Sequence, residues 1–327
     1  SEPLDEGTWA AVGRGVTAVL HLPSSFEPER ARALAGLGRQ PIASGEALRA
    51  TFEPVVAPPP RAPKVTAIVS TYKSAVFMQG CLDDLVGQTL YARGELEIMV
   101  IDSGSPEHEG AIVEEMRKRH PSIRYVRTER EPLYKAWNRA IGLARGTFLT
   151  NANTDDRHRP DALELMAAHL ETHTGTAVVY ADAAVTRRPN ETFAHHTAEL
   201  RLGFPDFSYA ELQRRCIIGP QPMWRRALHD RYGLFDETLT VAGDYEFWLR
   251  IGRTERFDRI PEILGLYYQN PGGLEYASGR TAAETLEVQR RYAAAPRPHP
   301  SRPPPPSPRL PRRPSLPPWT RNAHACR

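Results

Sequence analysis

An α/β fold is what the sequence predicts: a mostly parallel, doubly wound sheet with helices on both faces. Three observations predict it. Short continuous apolar runs, such as Val65–Tyr72 and Leu96–Gly104, read as strands buried on both sides. Stretches with helical spacing of apolar residues alternate with such runs from Lys64 to about Tyr276. Polar residues gather where strands stop, Asp102 after one and Asn153-Thr154-Asp155-Asp156 after another. In doubly wound sheets ligands sit beyond the carboxyl ends of the strands.

Residues 1–62 contain one strand, Val16–Leu22, and one helix, "EPERARALAGLG". They end in a proline-rich linker, "VVAPPPRAPK", expected to be extended. This N-terminal extension reads as the end of a preceding α/β unit, without chemistry of its own. The strands Val65–Tyr72 and Leu96–Gly104 follow, then the helix "EHEGAIVEEMRKRH" with Ile112, Val113 and Met116 on one face. After the strand "IRYVRT" comes "PLYKAWNRAIGLARG", where Leu133, Trp137, Ala140, Ile141 and Ala144 repeat at helical spacing. Gly146 is expected to stop that helix. The strand "TFLT" runs into the Asn-Asp turn. Pro160 then opens a helix that buries Leu163, Met166, Ala167 and Leu170, and "AVVYADAAV" is a further strand. Residues 277–327 are expected to form a C-terminal helix and a disordered tail, too rich in proline and too poor in apolar residues to fold.

At 327 residues the chain can bury a sizeable core. Its net charge of +3 misleads, because Pro296–Arg327 holds seven Arg and no Lys, Asp or Glu. Subtracting those seven leaves −4 on the rest, so the folded part carries no electrostatic footprint for nucleic acid. Cys81, Cys216 and Cys326 are scattered, read as reduced thiols, and exclude a disulfide framework. No apolar run approaches the ~20 residues of a membrane span, and no signal-peptide pattern opens the sequence. A first residue of Ser fits a processed or internal start.

The adjacent carboxylates Asp155 and Asp156 ask for a reason. A helix cap needs one short polar side chain, and Asp156 stands several residues too early. Two neighbouring carboxylates raise each other's pKa unless a cation is present. A divalent ion bound to a phosphate removes the conflict, since Mg²⁺ and Mn²⁺ share carboxylate and phosphate oxygens.

Four stretches occur in order: "VTAIVSTYKS", "IMVIDSGSPE", "LYKAWNRAIGLARGTFLTNANTDDRHRPDALE" and "GLFDETLTVAGDYEFWLRI". Together they resemble the family 2 glycosyltransferases, inverting enzymes of the GT-A fold that use nucleotide-sugar donors. The resemblance implies a GT-A, Rossmann-like domain over 63–276, with a nucleotide-sugar-binding half (63–160) and an acceptor half (161–276). It lays the family's Asp-x-Asp motif on Asn153-Thr154-Asp155. Asp155 inherits the metal-ligand role, and Asp156 orients the turn or touches the metal through water. The implied cofactor is Mn²⁺ or Mg²⁺. Asn153, where the family usually has Asp, would hydrogen-bond the donor ribose without adding charge. Asp102 takes the nucleobase position, accepting the N–H of a uracil-type base, although Asp before Ser-Gly-Ser is also an ordinary turn signal. Thr71 and Tyr72 would lie under the same base or its ribose, Tyr72 by stacking. Asn138 matches the Asn of an A-x-N-x-G/A-I pattern on the donor side, and Lys135 and Arg139 either face the diphosphate or are simply solvated.

In "VAGDYEFWLRIGR", Asp244 matches the Asp of the family's Glu-Asp pair, the catalytic base, with Gly243 in place of the Glu. By residue type it is also a good helix N-cap. Glu246, the rival base, sits inside the helix and should point elsewhere. Gly219, Pro220 and Pro222 should form a turn that places Gln221, Met223 and Trp224 near the cleft. Trp224 would stack on a sugar or fill the core, and Arg225 or Arg226 would meet acceptor-side phosphate. His195 and His196 make a poor metal site, because neighbouring side chains on a strand diverge.

The expected function is therefore a metal-dependent, inverting, hexosyltransferase-like enzyme. It would move a sugar from a nucleoside diphosphate donor, UDP-type favoured, to a glycan or lipid-linked acceptor in cell-surface polysaccharide or glycan synthesis. The expected location is the cytoplasm or the inner face of the membrane, by peripheral association and without a span. A dehydrogenase would need a Gly-x-Gly-x-x-Gly turn after the first strand, and a nucleotidyltransferase a Gly-rich basic loop there; neither occurs. The alternative is a non-catalytic nucleotide-sugar or carbohydrate binder with a degenerate site, since Asn153 and Gly243 both soften acidic motifs.

Overall fold

The computed structural model describes residues 62–293. The strand and helix expected before residue 62 and the proline-rich tail lie outside the described residues. Strand β1 (Val65–Thr71) is followed by helices α1 (Ala75–Val86) and α2 (Thr89–Ala92), then β2 (Leu96–Asp102), α3 (Glu109–Arg119) and β3 (Arg124–Arg127). Next come α4 (Leu133–Leu143), β4 (Phe148–Asn151), β5 (Arg157–His158), α5 (Ala162–Thr172) and β6 (Thr176–Thr186). The rest comprises β7 (Leu200–Leu202), α6 (Tyr209–Arg214), β8 (Met223–Arg225), α7 (Leu228–Tyr232), α8 (Gly243–Ile251), β9 (Arg256–Tyr268), α9 (Leu274–Ala277) and α10 (Thr281–Ala293).

The sheet order is β3-β2-β1-β4-β8-β6-β9-β5, with β7 on β6. β1 pairs in parallel with β2 on one side and with β4 on the other, so the order reverses between them and opens a crevice at their carboxyl ends. Beyond β4 the sheet departs from expectation. β8 is antiparallel to both β4 and β6, and four of the eight pairings among the described residues are antiparallel. The sheet is thus parallel in its first half and mixed in its second. A three-residue strand such as β8 leaves no periodic trace in a sequence.

Two cores sandwich the sheet. Val65, Ala67 and Val69 of β1 and Ile98 and Val100 of β2 face α1, α3 and α5 through Met78, Leu82, Met116, Leu163 and Met166. Ile68, Met99 and Ile101, one residue out of step, face Trp137, Trp224, Phe247, Trp248 and Val288 of the opposite layer. This period of two is what a pleated strand buried on both faces requires. Gly146 does not stop α4, which ends at Leu143 with Ala144 already extended. A Cβ at Gly146 would lie 2.5 Å from the Thr66 nitrogen, so the glycine lets two backbones meet.

Candidate active site

The turn after β4 presents the two carboxylates differently. Asp156 is buried, its Oδ1 accepting from the Tyr268 backbone N–H (3.0 Å) and its Oδ2 from the Asn153 amide (3.0 Å). Burial, reinforced by the charge of Asp155, pushes its pKa up to about 8. Asp156 thus ties Asn153 to the end of β9, with a hydrogen bond on each of its buried oxygens. Asp155 is half-buried, and among the described residues only its Oδ2 accepts a hydrogen bond, from the Asn270 side chain at 2.8 Å. Arg157, buried beneath, donates to the carbonyls of Thr154 (2.8 Å) and Asp156 (2.6 Å) and stiffens the loop. The Asn153 amide is engaged at both ends, with Asn151 at 3.3 Å and with Asp156, which leaves its ribose contact without support.

At the ends of β1 and β2 the polar groups bond one another, with Glu109 Oε2 the one buried oxygen of the cluster left without a partner among the described residues. Asp102 is fully buried; Oδ1 accepts from the Ser105 N–H (2.8 Å), and Oδ2 from the Tyr125 hydroxyl (2.7 Å) and the Arg127 guanidinium (2.5 Å). Asp102, where a base contact is expected, holds the turn through this ion pair. Thr71 is buried and donates to Glu109 Oε1 at 3.3 Å. The half-buried Tyr72 ring lies under the Arg130 guanidinium, 3.7 Å from its centroid, so one face is already covered by a cation. Glu109, which the sequence reading passed over, also accepts from the Ser74 N–H and the Ser105 hydroxyl, both at 2.8 Å.

Asn138, expected on the donor side, clamps the backbone at Phe235. Its amide bonds both the N–H and the C=O of Phe235 at 3.0 Å and reaches Glu237. Lys135 is exposed, and Arg139 forms a two-pronged pair with Glu131 at 2.9 and 2.8 Å. On the acceptor side the side chains have protein partners: Trp224 is buried, Arg225 is half-buried, and the exposed Arg226 donates to the Gly146 carbonyl at 3.0 Å. Trp224 is fully buried among Phe235 and Trp248, its indole N–H donating to His229. Gln221 donates to the Arg157 carbonyl at 3.0 Å, and Arg225 to the carbonyls of Thr176 (2.7 Å) and Leu170 (2.5 Å).

Asp244 occupies the first turn of α8 and remains partly exposed. It is not the N-cap, which is Ala242. Its Oδ1 accepts from the Tyr134 hydroxyl (3.0 Å) and the Tyr245 N–H (2.8 Å). Burial, opposed by these bonds, raises its pKa. The approach to α8 is held by Glu284 of α10, whose carboxylate gathers the N–H groups of Thr240, Val241 and Ala242 at 2.8–3.2 Å. Glu246 points away, paired with Arg250 at 2.6 Å, as expected of a residue inside the helix.

Asp155 and Asp244 flank one segment at the carboxyl edge of the sheet. Asn270, just beyond β9, bonds Asp155, and the charge of Glu275 on α9 reaches Asp244. The stretch from 270 to 275 spans at most ~18 Å fully extended. Trp137, one turn along α4 from Tyr134, donates to Ser70 near the end of β1 at 3.2 Å, tying the Asp244 side to the same edge. Asn270, Tyr134 and Glu284 escaped the sequence reading. Only Asn270 left a signal, a polar Asn-Pro-Gly-Gly turn after a strand. Among the described residues no group of three or more His, Cys, Asp or Glu could hold a metal, and His195 and His196 are exposed.

An α/β sheet with carboxylates beyond its strand ends, and helices on both faces, is the architecture of GT-A proteins. Two solved structures share the fold. S. aureus TarS in complex with UDP-GlcNAc superposes with a TM-score of 0.58 at 20% identity, covering 70% of this chain and 65% of that one. The mannosyltransferase PcManGT from Pyrobaculum calidifontis, in complex with GDP-Man and Mn²⁺, gives 0.54 at 22% identity, covering 77% and 71%. The glycosyl transferase family 2 model matches residues 66–233, just over half the chain, and the protein belongs to that family. Among curated relatives, the glycosyltransferase EpsJ of Bacillus subtilis is 28% identical over 71% of this chain and 68% of its own length. The chondroitin synthase of Escherichia coli is 24% identical over 62% of this chain, which spans only 28% of that protein.

Proposed function

We propose that the protein transfers a sugar from a nucleoside diphosphate donor, of UDP type, to a hydroxyl of a glycan or lipid-linked acceptor, with inversion, in polysaccharide assembly at the cytoplasmic side of a membrane. The observation that carries this reading is Asp244, a partly exposed carboxylate with one oxygen pinned by two donors and the other left to a ligand, across a short segment from Asp155. The UDP-GlcNAc bound by TarS and the polymer named for chondroitin synthase support the donor class and the setting.

Asp244 Oδ2 takes the proton of the acceptor hydroxyl as that oxygen attacks the anomeric carbon opposite the leaving group. The bond from that carbon to the diphosphate oxygen breaks, its electron pair leaves with the nucleoside diphosphate, and configuration inverts. A positioned base contributes typically ~10²–10⁴-fold. A divalent ion fits Asp155 alone. An ion that arrives with phosphate oxygens needs only one or two carboxylates. Asp155 keeps Oδ1 without a hydrogen bond among the described residues, whereas both oxygens of Asp156 are engaged. When bound, it would neutralise charge developing on the diphosphate. The Mn²⁺ complex of PcManGT supports that assignment.

The test is release of nucleoside diphosphate from UDP-GlcNAc and from GDP-mannose with Mn²⁺. D244N should lower it at least ~10²-fold while still binding donor. The internally satisfied Asp102 and Asn153 favour a second reading, a binder without turnover. Donor-induced thermal shifts with no release in the native protein would establish it.

A further inference from the structure

Tyr134 meets Asp244 from the opposite layer of side chains. Its ring is only 1% exposed, set edge-on to Trp137 at 5.5 Å and tilted against Phe235 at 5.8 Å. The hydroxyl is carried on a plate that packing does not allow to swing. The Tyr134 hydroxyl donates to Asp244 Oδ1, which also receives the Tyr245 N–H, and its oxygen is met by the backbone N–H groups of Gly243 and Asp244. Gly243 completes the arrangement: a Cβ there would stand 2.6 Å from the Tyr134 ring. A side chain at 243 and the tyrosine ring as it stands cannot share that space.

We infer that Tyr134 is a positioning residue for Asp244, pinning Oδ1 so that Oδ2 is the oxygen that receives the acceptor's proton. The inference rests on Asp244 being the base. Burial and the Asp244 charge push the phenol well above its usual range, so it stays a donor wherever the enzyme works. A hydrogen bond to the ionised carboxylate favours that form. The other groups around Asp244 do not replace it. Glu275 on α9 opposes ionisation by its charge, and the Cys216 thiol feels the Asp244 charge without bonding it. On α10, Glu284 is engaged with the 240–242 backbone and the Tyr292 hydroxyl with Glu246. On α6, Tyr209 accepts from Arg253, and on α8 itself Glu246 pairs with Arg250.

The test is a carboxyl titration of the full chain labelled with ¹³C-aspartate, the Asp244 resonance being identified by its loss in D244N. Y134F keeps the ring and removes one donor, so the Asp244 midpoint should rise by about one pH unit. The acid limb of UDP release from UDP-GlcNAc with Mn²⁺ should move up equally, with kcat down roughly tenfold and KM little changed. 3-Fluorotyrosine at 134, a stronger donor in the same shape, should move the midpoint the other way, which covers the case of a poorly folded Y134F. A midpoint unmoved by either change overturns the inference. Full UDP release by D244N, with the midpoint responding as stated, overturns the base assignment instead.

Discussion

Two turns leave the same edge of the sheet on either side of β1, one at 102–105 and one at 152–156. Each begins where a strand runs out and each carries an aspartate, yet they differ in what remains unsatisfied. In the first, Asp102 is closed off by Ser105, Tyr125 and Arg127. In the second, Asp156 is closed off by Tyr268 and Asn153, but Asp155 keeps one oxygen without a hydrogen bond among the described residues. Position at a strand end brings a carboxylate to the crevice; only surplus hydrogen-bonding capacity lets it meet a ligand. Asp244 passes the same test, since among the described residues the bonds from Tyr134 and Tyr245 both fall on Oδ1.

The pair D155N and D102N breaks or sharpens this contrast most strongly. D155N leaves the fold intact, within ~0.5 kcal/mol, because it removes a charge from a half-exposed site. It should abolish the Mn²⁺-induced rise in melting temperature and lower UDP release by ~10²-fold or more. D102N should do the reverse. Taking the charge from a buried, hydrogen-bonded group costs about 2–3 kcal/mol in denaturant melts, while the Mn²⁺ response persists. A D102N protein of native stability that no longer responds to UDP would return the base contact to Asp102.

Within the second turn, pH separates the neighbours. Asp156 has a folded pKa near 8, against ~3.9 unfolded, so between those values the folded state holds a proton that the unfolded state has released. Stability from this group is therefore full below about pH 4 and falls as pH rises towards 8. D156N cannot ionise and should flatten that slope, melting a few degrees above the native protein at pH 8 and no higher at pH 5. Because Asp155 contributes to the shift, Mn²⁺ at Asp155 should lower the Asp156 midpoint and raise the melting temperature more at pH 8 than at pH 6. An identical Mn²⁺ response at both values would uncouple the two carboxylates.

The parallel half of the fold was legible because β1 and β2 are seven-residue apolar strands and helices of clear period separate the strands there. The mixed half was not, since β5, β7 and β8 have two or three residues each and their order depends on long-range pairing. The same division runs through the site. Asp155 and Asp244 were readable as a residue type at a strand end or helix start. Residue type says nothing of whether Asn138 turns to Phe235 or Gln221 to Arg157, and those partners come from 97 and 64 residues away. Trp224 shows the limit most plainly: an aromatic near a predicted turn suits a sugar platform and a core equally, and the aromatic cluster with Phe235 and Trp248 decided it.

Lys135 gives the smallest effect and the finest test of the contrast. It stands one residue after Tyr134 and three before Asn138, so helical geometry turns it outward while both neighbours turn in. The charge of Lys135 lowers the pKa of Glu131 only as a minor contribution behind the Arg139 pair. K135A should therefore leave melting within ~0.5 kcal/mol of native. If its ammonium meets the donor diphosphate, KM for UDP-GlcNAc should rise several-fold at low salt and the difference should fade above roughly 0.3 M, where screening acts over a few ångströms. A salt-independent rise would place the lysine in direct contact with phosphate, and no rise at any salt would assign the diphosphate to the open oxygen of Asp155 and its ion alone.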